Sequence, residues 1–489
     1  METGTRSEAI FKNRWLILFN VITLTFMATL DSSIVNVALP EMAHKLSVSM
    51  AAIEWVVTSY LIIICASILL FGRLGDIFGK MRIFRFGMAC FTVGSLLCGI
   101  STTLPVLIFA RVIQAIGAAG TMSTNQGIIT QVFPPHERGR ALGTSGAAVA
   151  LGTMVGPPLG GIIVASLSWQ YIFLINIPIG LFAWIWSQKN LNHDGPFQKE
   201  PVDLAGASLF MVAIVALFGS LTQGQTVGFD HPLIIGGMIL SVIAFSGFLM
   251  LEGRVKAPIL QLSIFQNRLF SLSIFTGFIS FIAISSSNII LPFYLQDVMK
   301  LTPEITGFYM MVMPLIMVVV APISGYLSDK IGSEVLTLFG LLFGSAGLFL
   351  MSSLTEHSHL ALMAGFLAVL SLGNGLFQSP NTSLIMSTVP KHKLGIAGGV
   401  NALIRNLGMV FGITLSTSLL YNRMSAQLGY RVADYIPGRD DVFIYGMHYV
   451  YLTAGLICLF GAFLTAYRLY NQRFKKRATV DELSEENIA

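Results

Sequence analysis

The sequence predicts an all-α integral membrane protein with fourteen transmembrane helices: two six-helix halves and two helices inserted between them. Three observations favour this fold class. The 489 residues are 54% hydrophobic and only 11% charged, with a mean hydropathy of +0.75, whereas soluble domains are about 25% charged. The apolar residues form long continuous blocks, and short motifs from the first half of the chain recur in the second. This composition argues against a soluble enzyme.

The apolar blocks are long enough to cross a bilayer. A helix of about 20 apolar residues spans a hydrocarbon core of about 30 Å, and continuous blocks differ from the alternating strands of a membrane β-barrel. No small-residue cleavage site follows the first block, so we expect a retained helix and not a signal peptide. The four cysteines lie inside the blocks and predict no disulfide. The predicted spans are 15–37, 53–72, 82–101, 105–127, 140–165, 170–188, 203–222, 232–252, 269–292, 305–327, 333–353, 359–382, 396–420 and 448–470.

The distribution of positive charge predicts the orientation. Most of the 29 lysines and arginines fall in one set of alternate inter-helix segments, which includes both termini. Because cytoplasmic segments carry the excess of lysine and arginine, both termini are predicted to be cytoplasmic in a cell membrane. Cations beside anionic lipid account for the net charge of +5 without a nucleic-acid partner. The outer segments hold Lys45, Lys300, Arg423, Arg431 and Arg439.

Two motifs recur at nearly constant spacing. P-x-H-x-x-G at 134–139 is repeated at 390–395, and G-x-L-x-D-x-x-G at 72–79 is repeated at 325–332. Parallel repeats of this kind place a substrate site between two halves, near the membrane midplane. A receptor or channel remains the alternative, although neither requires duplicated halves. The predicted units are a cytoplasmic N-terminus at 1–14, a six-helix half at 15–188, an inserted hairpin at 203–252, a second six-helix half at 269–470 and a cytoplasmic tail at 471–489.

Asp31 and Arg111 are charged residues inside predicted spans. Such charges are costly in a membrane and by default mark a functional site. Desolvation favours the protonated form of a carboxyl, so Asp31 is the candidate for proton coupling. Arg111 keeps its charge and must find a carboxylate, a carbonyl or water. A buried ion pair of the two, without titration, is the alternative.

Two glycine-rich segments are the candidate gating elements. The loop at 72–80 combines glycines with Asp76, which we expect to pair with an arginine such as Arg140 and to latch the cytoplasmic side. The segment at 152–161 allows close helix packing and bending. For the loop at 72–80, the alternative is that its cations only set the membrane topology. For the segment at 152–161, the alternative is ordinary helix packing. The candidate gating residues are Gly72, Asp76, Gly79, Arg140, Gly152, Gly156, Pro157, Gly160 and Gly161.

Further polar and aromatic residues are candidates for a substrate cavity, although helix-to-helix hydrogen bonding is an equal alternative for each. The second half has Arg405 in a span but no acid predicted to be well buried. Glu54 is placed at a span end, and the outer loop at 421–447 is expected to be a solvated linker and not a lid. No metal site is predicted. The cavity candidates are Gln114, Asn125, Asn288, Phe293, Tyr294, Asn374, Gln378, Asn381, Asn401 and Arg405.

The ordered motifs resemble the major facilitator superfamily, specifically its fourteen-span drug:proton antiporter family. L-D-S-S-I-V-N-V-A-L-P at 30–40 is similar to that family's first-helix signature, and G-R-L-G-D-I-F-G-K at 72–80 is similar to the superfamily's loop motif. Residues 111–120 resemble the fourth-helix motif associated with proton transfer. Residues 152–161 resemble the antiporter motif, and 169–180 the sixth-helix signature.

The resemblance implies a major facilitator fold and proton-coupled export of small amphipathic compounds by alternating access. It also implies proton coupling at Asp31 with Arg111, gating at Asp76 and bending around Pro157. The sequence has no phosphate-binding G-x-x-x-x-G-K-[ST] motif, so no cofactor is expected and the proton gradient supplies the energy. A dedicated exporter or flippase of one metabolite or lipid is the second interpretation, and a non-transporting receptor is the third. The need for a periplasmic adaptor in a double-membrane bacterium stays open.

Overall fold

The computed structural model describes residues 2–134, 137–190, 203–255, 258–390 and 394–486. Within these ranges all regular structure is helical, and fourteen helical spans are long and apolar enough to cross a membrane. The predicted all-α membrane fold and its fourteen spans are confirmed. The histidines of the repeated P-x-H-x-x-G motif, His136 and His392, lie outside the described residues, as does most of the boundary between the first half and the inserted hairpin.

Several spans consist of two consecutive helices. The π-helical turn Tyr294–Val298 completes the span that α11 begins. The helices are α1 (Glu2–Leu46), α2 (Met50–Ile53), α3 (Trp55–Phe78), α4 (Lys80–Gly99), α5 (Leu104–Val132), α6 (Arg138–Ser166), α7 (Tyr171–Leu174), α8 (Asn176–Asn190), α9 (Leu204–Val227), α10 (Pro232–Glu252), α11 (Arg268–Phe293), α12 (Pro303–Met310), α13 (Val312–Ile331), α14 (Ser333–Ser352), α15 (Leu360–Ser387), α16 (Leu394–Leu428) and α17 (Asp440–Glu486).

Equivalent helix pairs pack in the first and second parts of the chain. Helix α4 packs on α5 as α14 packs on α15, and α1 packs on α6 as α11 packs on α16. A methyl group on Gly87 would lie 2.7 Å from the Gly117 carbonyl oxygen, and one on Gly340 would lie 2.8 Å from that of Gly373. Because glycine lets two helix backbones approach, the same close crossing is built twice. The division into units remains our prediction.

The repeated G-x-L-x-D-x-x-G motif ends a helix in the same way each time. Gly79 ends α3 with a φ of 104°, and Gly332 ends α13 with a φ of 91°. Their N–H groups donate to the Gly75 and Ser328 carbonyl oxygens at 3.1 and 3.0 Å. Residues with a Cβ rarely adopt this backbone conformation. The glycine at the end of each motif is therefore needed for the sharp turn into the next helix.

The inserted helices α9 and α10 form a hairpin beside the remaining bundle. Asp203 caps α9 by accepting from the Gly206 N–H at 2.8 Å. Helix α9 packs against both α3 and α16, and Gln225 Nε2 donates to the Thr414 carbonyl oxygen at 3.1 Å. One helix of the hairpin therefore contacts the first and the second six-helix parts together.

The loop at 429–439 is a structured cover over one end of the bundle. We call this end the outer end, following the predicted topology. Ala433 O accepts from Ala51 N at 3.4 Å, Asp434 Oδ1 accepts from Met50 N at 3.1 Å, and Lys300 Nζ donates to Tyr435 Oη at 3.2 Å. Most residues of the loop are exposed, as expected of a solvated segment, but it is not an untethered linker, because backbone and charged groups on two other segments bind it in place.

Candidate functional site

Asp31 is fully buried on α1 and accepts three hydrogen bonds. Arg111 Nη1 of α5 donates to Oδ2 at 2.7 Å. Gln114 Nε2 of α5 and Asn176 Nδ2 of α8 both donate to Oδ1 at 2.9 Å. A buried cation and two amide donors thus supply hydrogen bonds to both oxygens of this carboxylate. The predicted pair of Asp31 with Arg111 is present, and it lies within one six-helix part of the chain.

Arg111 is 1% exposed and has partners on three sides. Its Nε donates to the Val56 carbonyl oxygen at 3.0 Å, and Nη1 also donates to Gln114 Oε1 at 2.6 Å. The guanidinium carbon lies 4.0 Å from the centre of the Tyr60 ring and 5.6 Å from that of Phe173. Aromatic faces and a carbonyl oxygen therefore complete the environment that a buried, permanently charged guanidinium requires.

The sequence analysis placed one member of this cluster elsewhere and missed another. Gln114 was a cavity candidate, but the structure buries it between Asp31 and Ser95, where Nε2 also donates to Ser95 Oγ at 2.9 Å. Asn176 belongs to the sixth-helix signature but was not predicted as a site residue. Its signal was a lone amide in an apolar helix, because such groups need a partner. We refer to Asp31, Arg111, Gln114 and Asn176 as the Asp31 cluster.

The glycines at 152–161 bring α6 against two helices. Extra methyl groups at Gly152 and Gly160 would lie 2.8 Å from the Phe26 carbonyl oxygen and 2.7 Å from Ile34 Cγ1 of α1. Gly156 faces Ser33 of the same helix. One face of α6 therefore has no room for side chains against α1.

The other face of this segment contacts α12. A methyl group at Gly161 would lie 2.9 Å from Glu304 Cα, and one at Gly307 would lie 2.9 Å from the carbonyl carbon of Pro157. These are backbone contacts between the first and second six-helix parts. Pro157 lies inside α6, where it removes one backbone donor. The segment is thus a close contact between the two parts, as the gating hypothesis requires.

The cytoplasmic loop candidates are placed differently from the prediction. Asp76 Oδ1 pairs with Lys80 Nζ at 2.8 Å, one turn along the chain. Arg140 instead stacks on Trp15, with its guanidinium carbon 4.9 Å from the ring centre. The expected pair of Asp76 with Arg140 is therefore wrong for this conformation, because each charge has a nearer partner. A methyl group at Gly72 would lie 3.9 Å from Ser123 Cβ of α5, which is an ordinary van der Waals contact.

Four cavity candidates serve mainly as structural contacts here. Asn125 Nδ2 donates to Thr25 Oγ1 at 2.7 Å, and Asn381 Nδ2 donates to the Ser273 carbonyl oxygen at 3.1 Å. Phe293 and Tyr294 are buried, and Tyr294 Oη donates to a loop carbonyl oxygen at 2.8 Å. These side chains join helices, which was the stated alternative.

The remaining cavity candidates have unused hydrogen-bonding groups. Asn374 Nδ2 and Gln378 Nε2 are buried without a partner among the described residues. Asn288, Asn401 and Arg405 are half-buried. Arg405 has neither an ion pair nor a hydrogen bond within the part of the chain that the structure describes. It is therefore the one cavity candidate that offers a free positive charge.

Three further acids are buried among the described residues, Asp297, Glu54 and Glu252, contrary to the expectation of a single intramembrane carboxylate. Asp297 is 7% exposed in the second half, and its Oδ1 lies 3.1 Å from His44 Nε2 of α1. Glu54 is 1% exposed at the junction of α2 and α3, and its Oε1 accepts from Tyr421 Oη of α16 at 2.8 Å. The prediction failed for Asp297 and Glu54 because both lie at span ends that the opposite part of the bundle covers.

Fourteen spans, a recurring helix arrangement and a buried charge cluster define a membrane transporter. The chain belongs to the Major Facilitator Superfamily, whose family model matches residues 21–413. Its relatives include multidrug-type transporters of this superfamily. The chain is 31% identical to the multidrug resistance protein Stp of Mycobacterium tuberculosis (strain CDC 1551 / Oshkosh), across 82% of this chain and 75% of Stp.

The chain is also similar to a riboflavin transporter in sequence and to a solved transporter structure in fold. The chain is 34% identical over 458 residues to the riboflavin transporter RibZ of Clostridioides difficile (strain 630), covering 93% of this chain and 98% of RibZ. The fold is similar to the inward-facing, unoccupied crystal structure of a bacterial homologue of the human lysosomal transporter Spinster. The TM-score is 0.63 at 15% identity, covering 92% of this chain and 96% of that one. At this identity the likeness concerns the fold alone.

Proposed function

We propose that the protein is a proton-coupled exporter of small amphipathic compounds that works by alternating access. It is a multi-pass protein of the cytoplasmic membrane with both termini in the cytoplasm, and the proton gradient drives it without a cofactor. The observation that carries the proposal is the Asp31 cluster. Protonation of this buried carboxylate would change its hydrogen bonds with all three donors.

Protonation of Asp31 supplies the coupling step. A proton on the carboxyl removes the negative charge that pairs with Arg111, and Arg111 then keeps only Gln114, Val56 O and its aromatic neighbours. Breaking one side of a buried ion pair is strongly unfavourable, typically about 3–5 kcal/mol. This energy favours a rearrangement of α1 against α5 and α8. Because Asp31 is fully buried here, it exchanges its proton in a different conformation.

Two observations support export. The segment at 152–161 brings α6 into backbone contact with α1 and α12, so it can transmit a movement of α1 to the other part. The same segment resembles the antiporter motif of the drug:proton antiporter family. Stp is a multidrug resistance protein by name, and transporters of that kind lower the internal concentration of a drug.

The substrate is expected to carry a carbonyl or anionic group. Arg405 provides an unpaired positive charge, and the amides of Asn374 and Gln378 have donors without partners among the described residues. A cationic substrate would find no unpaired carboxylate beside Arg405 among the described cavity candidates. Apolar parts of a substrate would contact the abundant phenylalanine and methionine side chains.

A transporter dedicated to one metabolite is the second candidate. Its support is the 34% identity to RibZ, which extends over nearly the whole of both chains. Riboflavin is neutral, aromatic and rich in carbonyl groups, so it fits the same requirements. A panel that includes riboflavin separates a dedicated from a broad transporter.

The test is proton movement driven by substrate in proteoliposomes that contain a pH-sensitive dye. The panel contains riboflavin and neutral, cationic, anionic and lipid-like compounds. The native protein is compared with Asp31→Asn and with Glu41→Gln, a control acid on the same helix that forms a surface pair with Lys45. We expect proton flux in the native and control proteins and none in Asp31→Asn. Unchanged flux in Asp31→Asn would refute the coupling assignment, and no flux with any compound would favour a receptor.

A further inference from the structure

Glu54 is a buried carboxyl outside the Asp31 cluster. It lies between α2 and α3 at the outer end, and only 1% of its surface is exposed. Removing a carboxylate from water is costly unless a cation and several donors replace its hydration. The surroundings of Glu54 therefore decide which protonation state this conformation favours.

Those surroundings provide one donor. Tyr421 Oη of α16 donates to Oε1 at 2.8 Å. No donor among the described residues reaches Oε2, although that oxygen is fully buried. Thr417, one turn earlier on α16, also faces the carboxyl. Its hydroxyl already donates to the Ile413 carbonyl oxygen at 3.0 Å, so its oxygen is left as an acceptor.

No positive charge compensates Glu54 within the described part of the chain. Of the charged groups on the elements packed around it, Arg111 of α5 is paired with Asp31 of α1. Arg423 of α16 lies over the Tyr449 ring, 4.5 Å from its centre, and Arg431 of the covering loop donates to the Gly224 and Gln225 carbonyl oxygens. Asp434 of the covering loop accepts from Met50 N. Helix α9, which packs beside α3, contributes no titratable side chain. A negative charge on Glu54 would thus be both dehydrated and unpaired.

We propose that Glu54 is a second proton-binding site, which takes a proton from the outer water as the outer end closes. The proton adds to Oε2 of the carboxylate, and the neutral carboxyl can then donate to Thr417 Oγ1 while Oε1 still accepts from Tyr421. Closure is favourable only with this proton present. The proposal rests on the proposed transport cycle only in requiring that the outer end opens to water.

Closure of this site involves the two six-helix parts together. Glu54 belongs to the first part and Tyr421 to the second, so their hydrogen bond exists only while the outer end is closed. Val56, two residues after Glu54, holds Arg111 Nε through its carbonyl oxygen at 3.0 Å. The first turn of α3 therefore joins the Glu54 site to the Asp31 cluster.

The first test detects the proton directly in the full-length protein by infrared spectroscopy, without transport. We expect a protonated-carboxyl stretch at neutral pH that disappears in Glu54→Gln and persists in Asp31→Asn. In Tyr421→Phe the band should remain and move to higher frequency, because the carboxyl oxygen loses a hydrogen bond. A Glu54→Gln spectrum that retains the whole native band, or a band unmoved in Tyr421→Phe, would overturn the proposal.

The second test follows closure against pH by measuring spin-label distances between the outer ends. We expect the native protein and Glu41→Gln to close as pH falls, and Glu54→Gln to stay closed at every pH tested. A native pH dependence in Glu54→Gln would contradict the proposal. The infrared band does not depend on proton flux in proteoliposomes. If the native protein shows the Glu54 band but moves no protons in proteoliposomes, the proposed function is refuted and the Glu54 proton site is still supported.

Discussion

Substitution of Gly161 by alanine tests whether the contact of α6 with α12 controls opening of the outer end. The new Cβ would lie 2.9 Å from Glu304 Cα and 3.0 Å from the Pro303 carbonyl carbon, and closer still to the Pro303 carbonyl oxygen. These are backbone atoms, so no side-chain rotation relieves the overlap. The clash exists only while α6 touches α12.

The size of the effect follows from these distances. The two helices must separate by about 1 Å at the nearest atom to restore ordinary van der Waals contact. Overpacking of this kind costs about 1–3 kcal/mol, and alanine in a helix recovers roughly 0.5–1 kcal/mol relative to glycine. A net loss of about 1–2 kcal/mol for the closed arrangement corresponds to a roughly 5–30-fold shift toward outer-open molecules.

The assay is a spin-label distance between Thr102 and His357, which are exposed in outer loops of the two parts. The four free cysteines are replaced first. Gly146→Ala is the matched control, because Gly146 lies in the same helix and a methyl group there meets nothing within 4 Å. We expect longer distances to gain population only in Gly161→Ala. Identical distributions in the two variants would refute the gating role of this contact.

Three further predictions concern the site and the turns. Asn176→Ala removes one of the three donors to the Asp31 carboxylate, a loss worth about 1–3 kcal/mol, so substrate-driven proton flux should fall. Unchanged flux would exclude a role for Asn176 in the coupling site. Arg405→Gln should raise the KM for anionic or carbonyl-rich compounds roughly 10–100-fold, because one charge-assisted hydrogen bond is lost. Uptake into inverted vesicles measures this KM. An equal rise for cationic compounds would contradict a direct contact of Arg405 with the substrate. Gly332→Ala places a side chain at a φ of 91° with nothing within 4 Å, so it should lose about 1–3 kcal/mol from backbone strain alone. Thermal unfolding in detergent measures this loss of stability. Gly365→Ala is the control, because a methyl group there also meets open space, and it should be as stable as the native protein or slightly more stable.

The membrane spans were predictable because the bilayer imposes a single requirement on every spanning segment. A continuous apolar block must satisfy its own backbone as a helix, so fourteen blocks became fourteen spans. The pair of Asp31 and Arg111 was predictable for a similar reason, since two lone opposite charges in an apolar bundle stabilise each other.

Neutral polar residues were harder to place. An amide on a membrane helix can face a cavity or a neighbouring helix, and the sequence pattern is the same in both cases. Gln114 was therefore assigned to the cavity, and Asn176 received no role, although both donate to Asp31. Which helix lies opposite an amide is a tertiary property that composition and spacing do not contain.

Residues at span ends were misjudged for a different reason. Glu54 was placed at a span end, and the outer loop at 421–447 was placed in water, because hydropathy falls there. The structure covers Glu54 with α16 and fixes the loop through backbone contacts to α2. Local hydropathy describes the contact of a segment with lipid or water, and it does not describe which distant segment covers it.

The position of α9 also affects how the transporter meets its lipid surroundings. Because α9 packs on both α3 and α16, it shields the junction of the two six-helix parts from lipid on that side. On the opposite side α6 meets α12 and α13 with no additional helix outside them among the described residues. The molecule is therefore laterally asymmetric. A compound dissolved in the membrane meets helices α9 and α10 on one side of the transporter. On the other side it meets the contact of α6 with α12 and α13 directly.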